Sequence, residues 1–155
     1  MGVGQGAMAP LAMTRPDPGF WAGKRVLLTG HTGFKGAWAA IWLSRLGASV
    51  SGLALPPDQT PALYDLAEVG RLLTSSLVDL RDLAAVSRAL DSREFDLVLH
   101  LAAQPIVRTA IEDPVGTFST NVMGTAHLLQ VLRATPSLRA VLCVTDRKSV
   151  CRERV

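Results

Sequence analysis

Two periods of apolar residues succeed one another along the chain. Residues 25–29, Arg-Val-Leu-Leu-Thr, form a short β-rich run. After a glycine cluster, Phe34, Trp38, Ile41, Trp42 and Leu46 recur at steps of three and four, which predicts a helix burying that face. Gly47 stands where a left-handed cap would stop it. Residues 49–53 predict a second strand, Pro56, Pro57 and Pro61 a loop, and 63–72 a short helix. A third, weaker strand closes with Leu77 and Val78 before Asp79. Leu83, Val86 and Leu90 place a helix within 83–93, and 95–100 is a fourth strand opening into Leu-Ala-Ala-Gln-Pro. A long helix over 117–134 carries Val122, Ala126, Leu129 and Leu132 or Arg133 on successive turns, and 139–144 is a fifth strand. Strands alternating with helices predict βαβ units and a parallel sheet, and the continuous apolarity of VLL, LVL and AVLCV fits strands covered on both faces. The expected fold is α/β, a doubly wound parallel sheet of Rossmann type in the order 3-2-1-4-5, truncated after the fifth strand.

Composition narrows the classes without naming one. Of 155 residues, 48% are hydrophobic and 19% charged, which suits a single packed domain. No apolar run is long enough for a membrane span. Cys143 and Cys151 supply neither a disulfide framework nor a metal site of the usual spacing, so no metal is expected and a reducing, cytoplasmic setting is. The net charge of +3 comes mostly from residues 146–155, where four basic residues face two acidic ones, so no basic stripe for nucleic acid is expected. Residues 1–19 read as a flexible leader, and 146–155 as a disordered or foreign tail.

Chemistry first shows in Gly30-His-Thr-Gly33-Phe-Lys-Gly36, a GxxGxxG turn between the first strand and first helix. Such glycines allow the turn, the approach of backbone to a pyrophosphate, and the packing of helix on strand. The helix N-terminus then attracts the anion, and Lys35 would oppose the helix dipole unless its charge meets a phosphate. His31 reads either as a solvated loop histidine or as a ligand contact. The acidic residue that usually holds an adenine ribose about twenty residues on is missing. Gly52-Leu-Ala-Leu-Pro-Pro57 stands there, so charge does not separate NAD from NADP.

TGHTGFKG with Trp38, VDLRD at 78–82, LAAQPIVR at 101–108 and TNVMGTAHLL at 120–129 together resemble the extended short-chain dehydrogenase/reductases, most narrowly their CDP-glucose 4,6-dehydratase group. The resemblance runs over about residues 20–145. It implies a tightly bound NAD, oxidation of the sugar at C4, loss of water across C5 and C6, and return of the hydride to C6, giving a 4-keto-6-deoxy sugar. It implies that Gly30, Thr32, Gly33, Phe34, Lys35 and Gly36 cradle the pyrophosphate and that Asp79 and Leu80 meet the adenine. Leu101, Ala102, Ala103 and Gln104 would line the ribose and nicotinamide side, with Asn121 supporting them. Each has a plainer reading: Asp79 as a turn or cap, the alanines as packing, Gln104 as a loop opening, Arg108 as surface charge rather than a phosphate contact. Trp38 and Trp42 read as core.

The group's proton chemistry uses a Tyr and a Lys four residues apart, with a Ser or Thr on the sugar hydroxyl. The one tyrosine here is Tyr64, and position 68 is Glu68, so Tyr64 is not that base. Thr145 alone matches, as the catalytic candidate. Asp146 and Lys148 follow it out of the group's register. The resemblance therefore implies a nucleotide-sugar-binding enzyme, homo-oligomeric at full length, with these 155 residues inactive alone. A 4-epimerase or reductase of the same superfamily, or a non-catalytic dinucleotide-binding module, are the alternatives.

Overall fold

The computed structural model describes residues 16–145; most of the expected leader, Cys151 and the tail with Asp146 and Lys148 lie outside the described residues. The elements follow the order α1 (Pro18–Trp21), β1 (Arg25–Thr29), α2 (Phe34–Arg45), β2 (Ser49–Ala54), α3 (Leu63–Leu66), β3 (Thr74–Leu77), α4 (Leu83–Leu90), β4 (Leu97–His100), α5 (Val107–Glu112), α6 (Pro114–Phe118), α7 (Gly124–Leu132) and β5 (Ala140–Cys143). The five strands form one parallel sheet in the order β3-β2-β1-β4-β5, as expected. Asp17 caps α1 by accepting from the Gly19 amide at 2.8 Å.

Alternation along the strands divides the core into two layers. Val26, Leu28 and Val50 pack with Ala37, Ala40 and Leu43 of α2. Leu27, Leu53 and Val98 face the other way, onto Val86 and Leu90 of α4 and Leu128 and Leu132 of α7. Helices thus cover both faces, and the chain changes face between β1 and β4, where such sheets open a crevice at the strands' C-terminal ends. At the opposite end Arg25 grips Asp96, donating from its backbone N, Nε and Nη2 at 2.9, 3.2 and 2.8 Å and holding that carboxyl well below the usual carboxylate range.

Several expectations are corrected. α2 turns its small residues inward: Gly36, Ala37, Ala40 and Leu43 are buried, whereas Phe34, Trp38 and Trp42 are 71%, 53% and 57% exposed. Over its first turns large side chains cannot face the sheet because the helix starts hard against the β1 turn, and Leu43, farther along, is the large residue buried on that face. Leu142 of β5 and Val144 just after it are likewise exposed, although AVLCV reads as a strand covered on both faces, because among the described residues β5 is the edge strand beside β4. The expected helix over 63–72 divides into α3 and a 3₁₀ turn, Val69–Arg71, at Glu68, whose φ is +48°. The long helix over 117–134 is interrupted by a π-helical turn, Ser119–Met123, ahead of α7. The extra residue in that turn shifts the helical phase, so Gly124, Leu128 and Leu132 are buried while Val122 and Leu129 are exposed.

Candidate functional site

The glycine turn gives each of its three glycines a distinct geometry. Gly30 has φ +75°, and a Cβ there would lie 2.8 Å from the Ala102 backbone N. The first turn and the loop after β4 are therefore in backbone contact, which no other residue type permits. A Cβ on Gly36 would stand 2.0 Å from the Gly30 carbonyl oxygen, so α2 packs on the turn itself. Gly33 is different: a Cβ would meet only the Gly30 oxygen, at 3.5 Å, with open space beyond. Gly33 is the N-cap of α2, no side chain caps this helix, and its first turn carries no acidic residue. The first amides of a helix lack partners within it, so this N-terminus opens toward exposed Gly33 with the helix dipole behind it.

The other residues of the turn brace it. Thr32 donates its hydroxyl to the Leu55 carbonyl at 2.8 Å, which fastens the turn to the end of β2 and leaves only Thr32 backbone for a ligand. His31 is neither solvated nor at the open face. It is fully buried, its Nε2 is 2.8 Å from Ser75 Oγ, and its ring packs edge-on to Tyr64 and close enough on β2 that a Cβ at Gly52 would stand 2.6 Å away. Burial lowers its pKa and holds it neutral. Tyr64 bonds only weakly to Ser75, at 3.4 Å, and Glu68 pairs with Arg71, so these two residues belong to the fold. Phe34 and Lys35 are exposed at the helix start.

At the end of β3, Asp79 accepts from the Arg81 amide at 2.9 Å and is held by the Arg81 guanidinium. The Arg81 bonds lower its pKa, and the plainer reading of Asp79 as a turn residue is observed. Leu80 is buried against Gly124, and its carbonyl accepts from His127 Nδ1 at 3.0 Å. After β4, the loop 101–104 is fixed from both sides. Leu101 and Ala102 donate their amides to Thr29 Oγ1 at 3.2 and 3.1 Å. Asn121, inside the π-helical turn, accepts the Gln104 amide at 2.7 Å and donates to the Gln104 carbonyl at 3.0 Å. π-helical turns occur frequently at functional sites, and here the turn brings an asparagine amide onto a backbone segment. Gln104 reaches Thr117 Oγ1 at 2.9 Å. Ala103 is exposed, and Thr145 follows β5 at the same end of the sheet, also exposed. Arg108 pairs with Glu112 at 2.9 Å on the surface of α5, the plainer of its two readings.

The structure therefore brings Gly30–Gly36, the 101–104 loop and Asn121 together at the C-terminal ends of β1 and β4. Sequence reasoning missed Thr29, His100 and Thr125, which hold that arrangement in shape. The available signal was a polar residue closing each of two apolar strands.

A family model described as GDP-mannose 4,6 dehydratase matches residues 27–146. The chain is similar to CDP-glucose 4,6-dehydratase of Salmonella typhimurium, with 42% identity over 132 residues, which are 85% of this chain and 37% of that protein. It therefore spans little more than a third of the length of that relative. Among solved structures it is similar to UDP-glucose 4-epimerase of Thermus thermophilus in complex with NAD, with TM-score 0.61 and 34% identity over 70% of this chain and 33% of that one. UDP-glucose 4-epimerase from Bifidobacterium longum in complex with NAD+ and UDP gives TM-score 0.62 and 26% identity over 70% and 33%.

Proposed function

We propose, from the premise that this chain belongs to the family described as GDP-mannose 4,6 dehydratase, that it is the dinucleotide-binding part of an NAD-dependent nucleotide-sugar 4,6-dehydratase acting on CDP-glucose. The observation that carries the reading is the uncapped N-terminus of α2 behind Gly33, open where a diphosphate would approach. NAD as the dinucleotide is supported by the similar epimerases described as NAD complexes. CDP-glucose as the sugar nucleotide is supported by the 42% identity to a CDP-glucose 4,6-dehydratase and by the HTGFKG and AAQPIVR stretches.

The residues present fit such a cofactor. Gly30, Gly33 and Gly36 shape the turn, and the backbone of Thr32, Phe34, Lys35 and Gly36 would hold the diphosphate, with the Lys35 ammonium adding a positive charge. Asp79 and Leu80 follow β3, where the adenine would lie. Leu101, Ala102, Ala103 and Gln104 would border the ribose and nicotinamide, kept in register by Asn121. When bound, NAD supplies an acceptor for hydride from a sugar carbon and a donor for its return. Thr145, two residues after β5, would hydrogen-bond a sugar hydroxyl. The sole tyrosine packs against buried His31 and has Glu68, not a lysine, four residues on, so on this reading the 155 residues bind dinucleotide without turning over sugar. The reading extends to a homo-oligomer in the cytoplasm at full length. A UDP-sugar 4-epimerase is the second reading, favoured by the solved neighbours.

Titrating the chain calorimetrically with NAD, NADP, CDP and UDP tests this. Heat with NAD and no 4-keto sugar from CDP-glucose are expected. No uptake of NAD by a folded sample overturns the dinucleotide reading, and turnover by these residues alone overturns the division of labour.

A further inference from the structure

His100 closes β4 with only 5% of its surface exposed, and both ring nitrogens are hydrogen-bonded. Nδ1 lies 2.6 Å from Thr29 Oγ1 and Nε2 lies 2.9 Å from Thr125 Oγ1. The donors and acceptors around the ring fix the direction of each bond. Thr29 Oγ1 accepts from the Ala102 amide and shares the Leu101 amide with the Thr29 carbonyl, to which that amide donates at 3.3 Å. A hydroxyl has two lone pairs and one proton, so the Thr29 proton goes to Nδ1, and Nδ1 is the bare nitrogen. Nε2 then carries the hydrogen and donates it to Thr125 Oγ1, whose own proton goes to the Asn121 carbonyl at 2.7 Å. Asn121 in turn holds the backbone of Gln104 by two bonds. One chain of bonds, running in one direction, starts at the amides of 101 and 102 and ends on the segment that holds 104.

We propose that His100, as the neutral Nε2–H tautomer, is the positioning residue that sets the 101–104 backbone for the dinucleotide, by tying Thr29 of β1 to Thr125 of α7. The proposal rests on the dinucleotide reading above. Any other protonation of the ring breaks the chain. An N–H at Nδ1 would face an oxygen whose lone pairs are both engaged, and either the Ala102 amide would have to let go or the Leu101 amide would fall back on the Thr29 carbonyl alone. Burial, which lowers the pKa of His100, keeps the ring in the required neutral form. The geometry also explains why Gly30 and Ala102 can touch: the loop is drawn onto β1 by the same hydroxyl that the imidazole orients.

Nitrogen-15 NMR of the imidazole in the whole chain reads the tautomer directly. A proton on Nε2 and a bare Nδ1 at neutral pH are expected. A proton on Nδ1 overturns the assignment whatever the chain binds. Four variants then test positioning. His100→Asn offers an oxygen toward Thr29 in place of Nδ1, and His100→Leu offers neither bond. The dissociation constant for NAD is expected to rise about tenfold in His100→Leu, the size of one lost hydrogen bond to a polar group, and to return to within about threefold of the parent in His100→Asn. Thr125→Val and Thr125→Ser repeat the comparison from the far end should the leucine variant fail to fold, with weakening expected in the first and rescue in the second. Equal NAD affinity in Thr125→Val and Thr125→Ser, or in His100→Leu and His100→Asn, overturns the positioning role. A parent chain that takes up no NAD while its ring carries the Nε2 proton overturns the dinucleotide reading and leaves the bond chain standing.

Discussion

Alanine at Gly33 and alanine at Gly36 make the same chemical change three residues apart and should fail for opposite reasons. At position 36 the new Cβ would stand 2.0 Å from the Gly30 oxygen, 2.6 Å from its carbonyl carbon and 2.9 Å from His31 Cα. All three are backbone atoms and none can swing aside. Ordinary contact begins near 3.4 Å, so α2 must withdraw from the turn by about an ångström or more. Overpacking of this kind costs about 1–3 kcal/mol, and the gain in helix propensity from Gly to Ala, about 1 kcal/mol at most, offsets only the low end. Gly36→Ala should therefore lower the melting temperature. At position 33 the Cβ would meet one atom, the Gly30 oxygen, at 3.5 Å, and the backbone there (φ −75°, ψ 164°) is open to alanine. The fold should lose no more than the N-cap preference of Gly over Ala, below about 1 kcal/mol. The methyl group would instead occupy the approach to the first amides of α2. Displacing a diphosphate from backbone contact costs at least the low end of an overpacking penalty, and about 1.4 kcal/mol is tenfold in affinity. Calorimetric titration with NAD beside thermal melting of both variants gives the answer. If Gly33→Ala is folded and binds NAD as the parent does, the backbone cradle is wrong.

Asn121→Ala removes both bonds to the Gln104 backbone. It should cost about 1–3 kcal/mol of stability in denaturant titration, and Asn121→Asp, which keeps the acceptor but turns a carboxylate oxygen onto the Gln104 carbonyl, should cost at least as much at neutral pH. Trp38→Gln and Trp42→Gln should leave stability within about 0.5 kcal/mol, because both rings are more than half exposed, and should reduce self-association in light scattering; a large loss of stability would return the tryptophans to the core. Asp96 is held below its unfolded value of 3.8 by the Arg25 bonds, so its contribution is present above that value and lost as pH falls below it. Asp96→Asn should therefore be less stable than the parent at neutral pH and show a shallower acid-unfolding slope below about pH 4. Burial lowers the pKa of His31 and His100 from 6.5. The unfolded chain takes up protons there first, and denaturation midpoints should fall between about pH 7.5 and 5.5; identical midpoints would show that both rings titrate freely.

What the sequence revealed of the fold follows from where hydrophobic burial dominates. β1 was legible residue for residue, because Val26, Leu27 and Leu28 are buried on both faces of a central strand. β3, Thr-Ser-Ser-Leu, has little apolar signal; among the described residues it is an edge strand paired with β2, and backbone bonding ends it at Leu77, one residue before the expected end at Val78. On α2 the period was right and the face was wrong. Large apolar residues and small ones both recur at helical spacing there, and side-chain size was taken for burial. The closeness of α2 to the Gly30 turn decides in favour of the small ones, a constraint between segments that no single-helix pattern carries.

The site divides along the same line. Gly30, Gly33 and Gly36 were readable because the demand for a missing side chain is local: a positive φ, an open N-cap and a helix packed on a turn are all set within seven residues. Asn121 was readable as a misfit, a polar residue within a helical pattern, although the π-helical turn that aims it was not. Thr29 and His100 were read merely as the ends of strands. Their adjacency depends on β1 and β4 being neighbours in parallel register, Thr29 opposite His100, and on α7 bringing Thr125 down onto the ring. Once the order 3-2-1-4-5 is granted, that adjacency follows: the strand on which the chain changes face and its new neighbour must end side by side. Two polar residues closing those two strands are then a pair before any coordinates are known. Strand order, derived first, is thus the step that turns scattered polar residues into a candidate site.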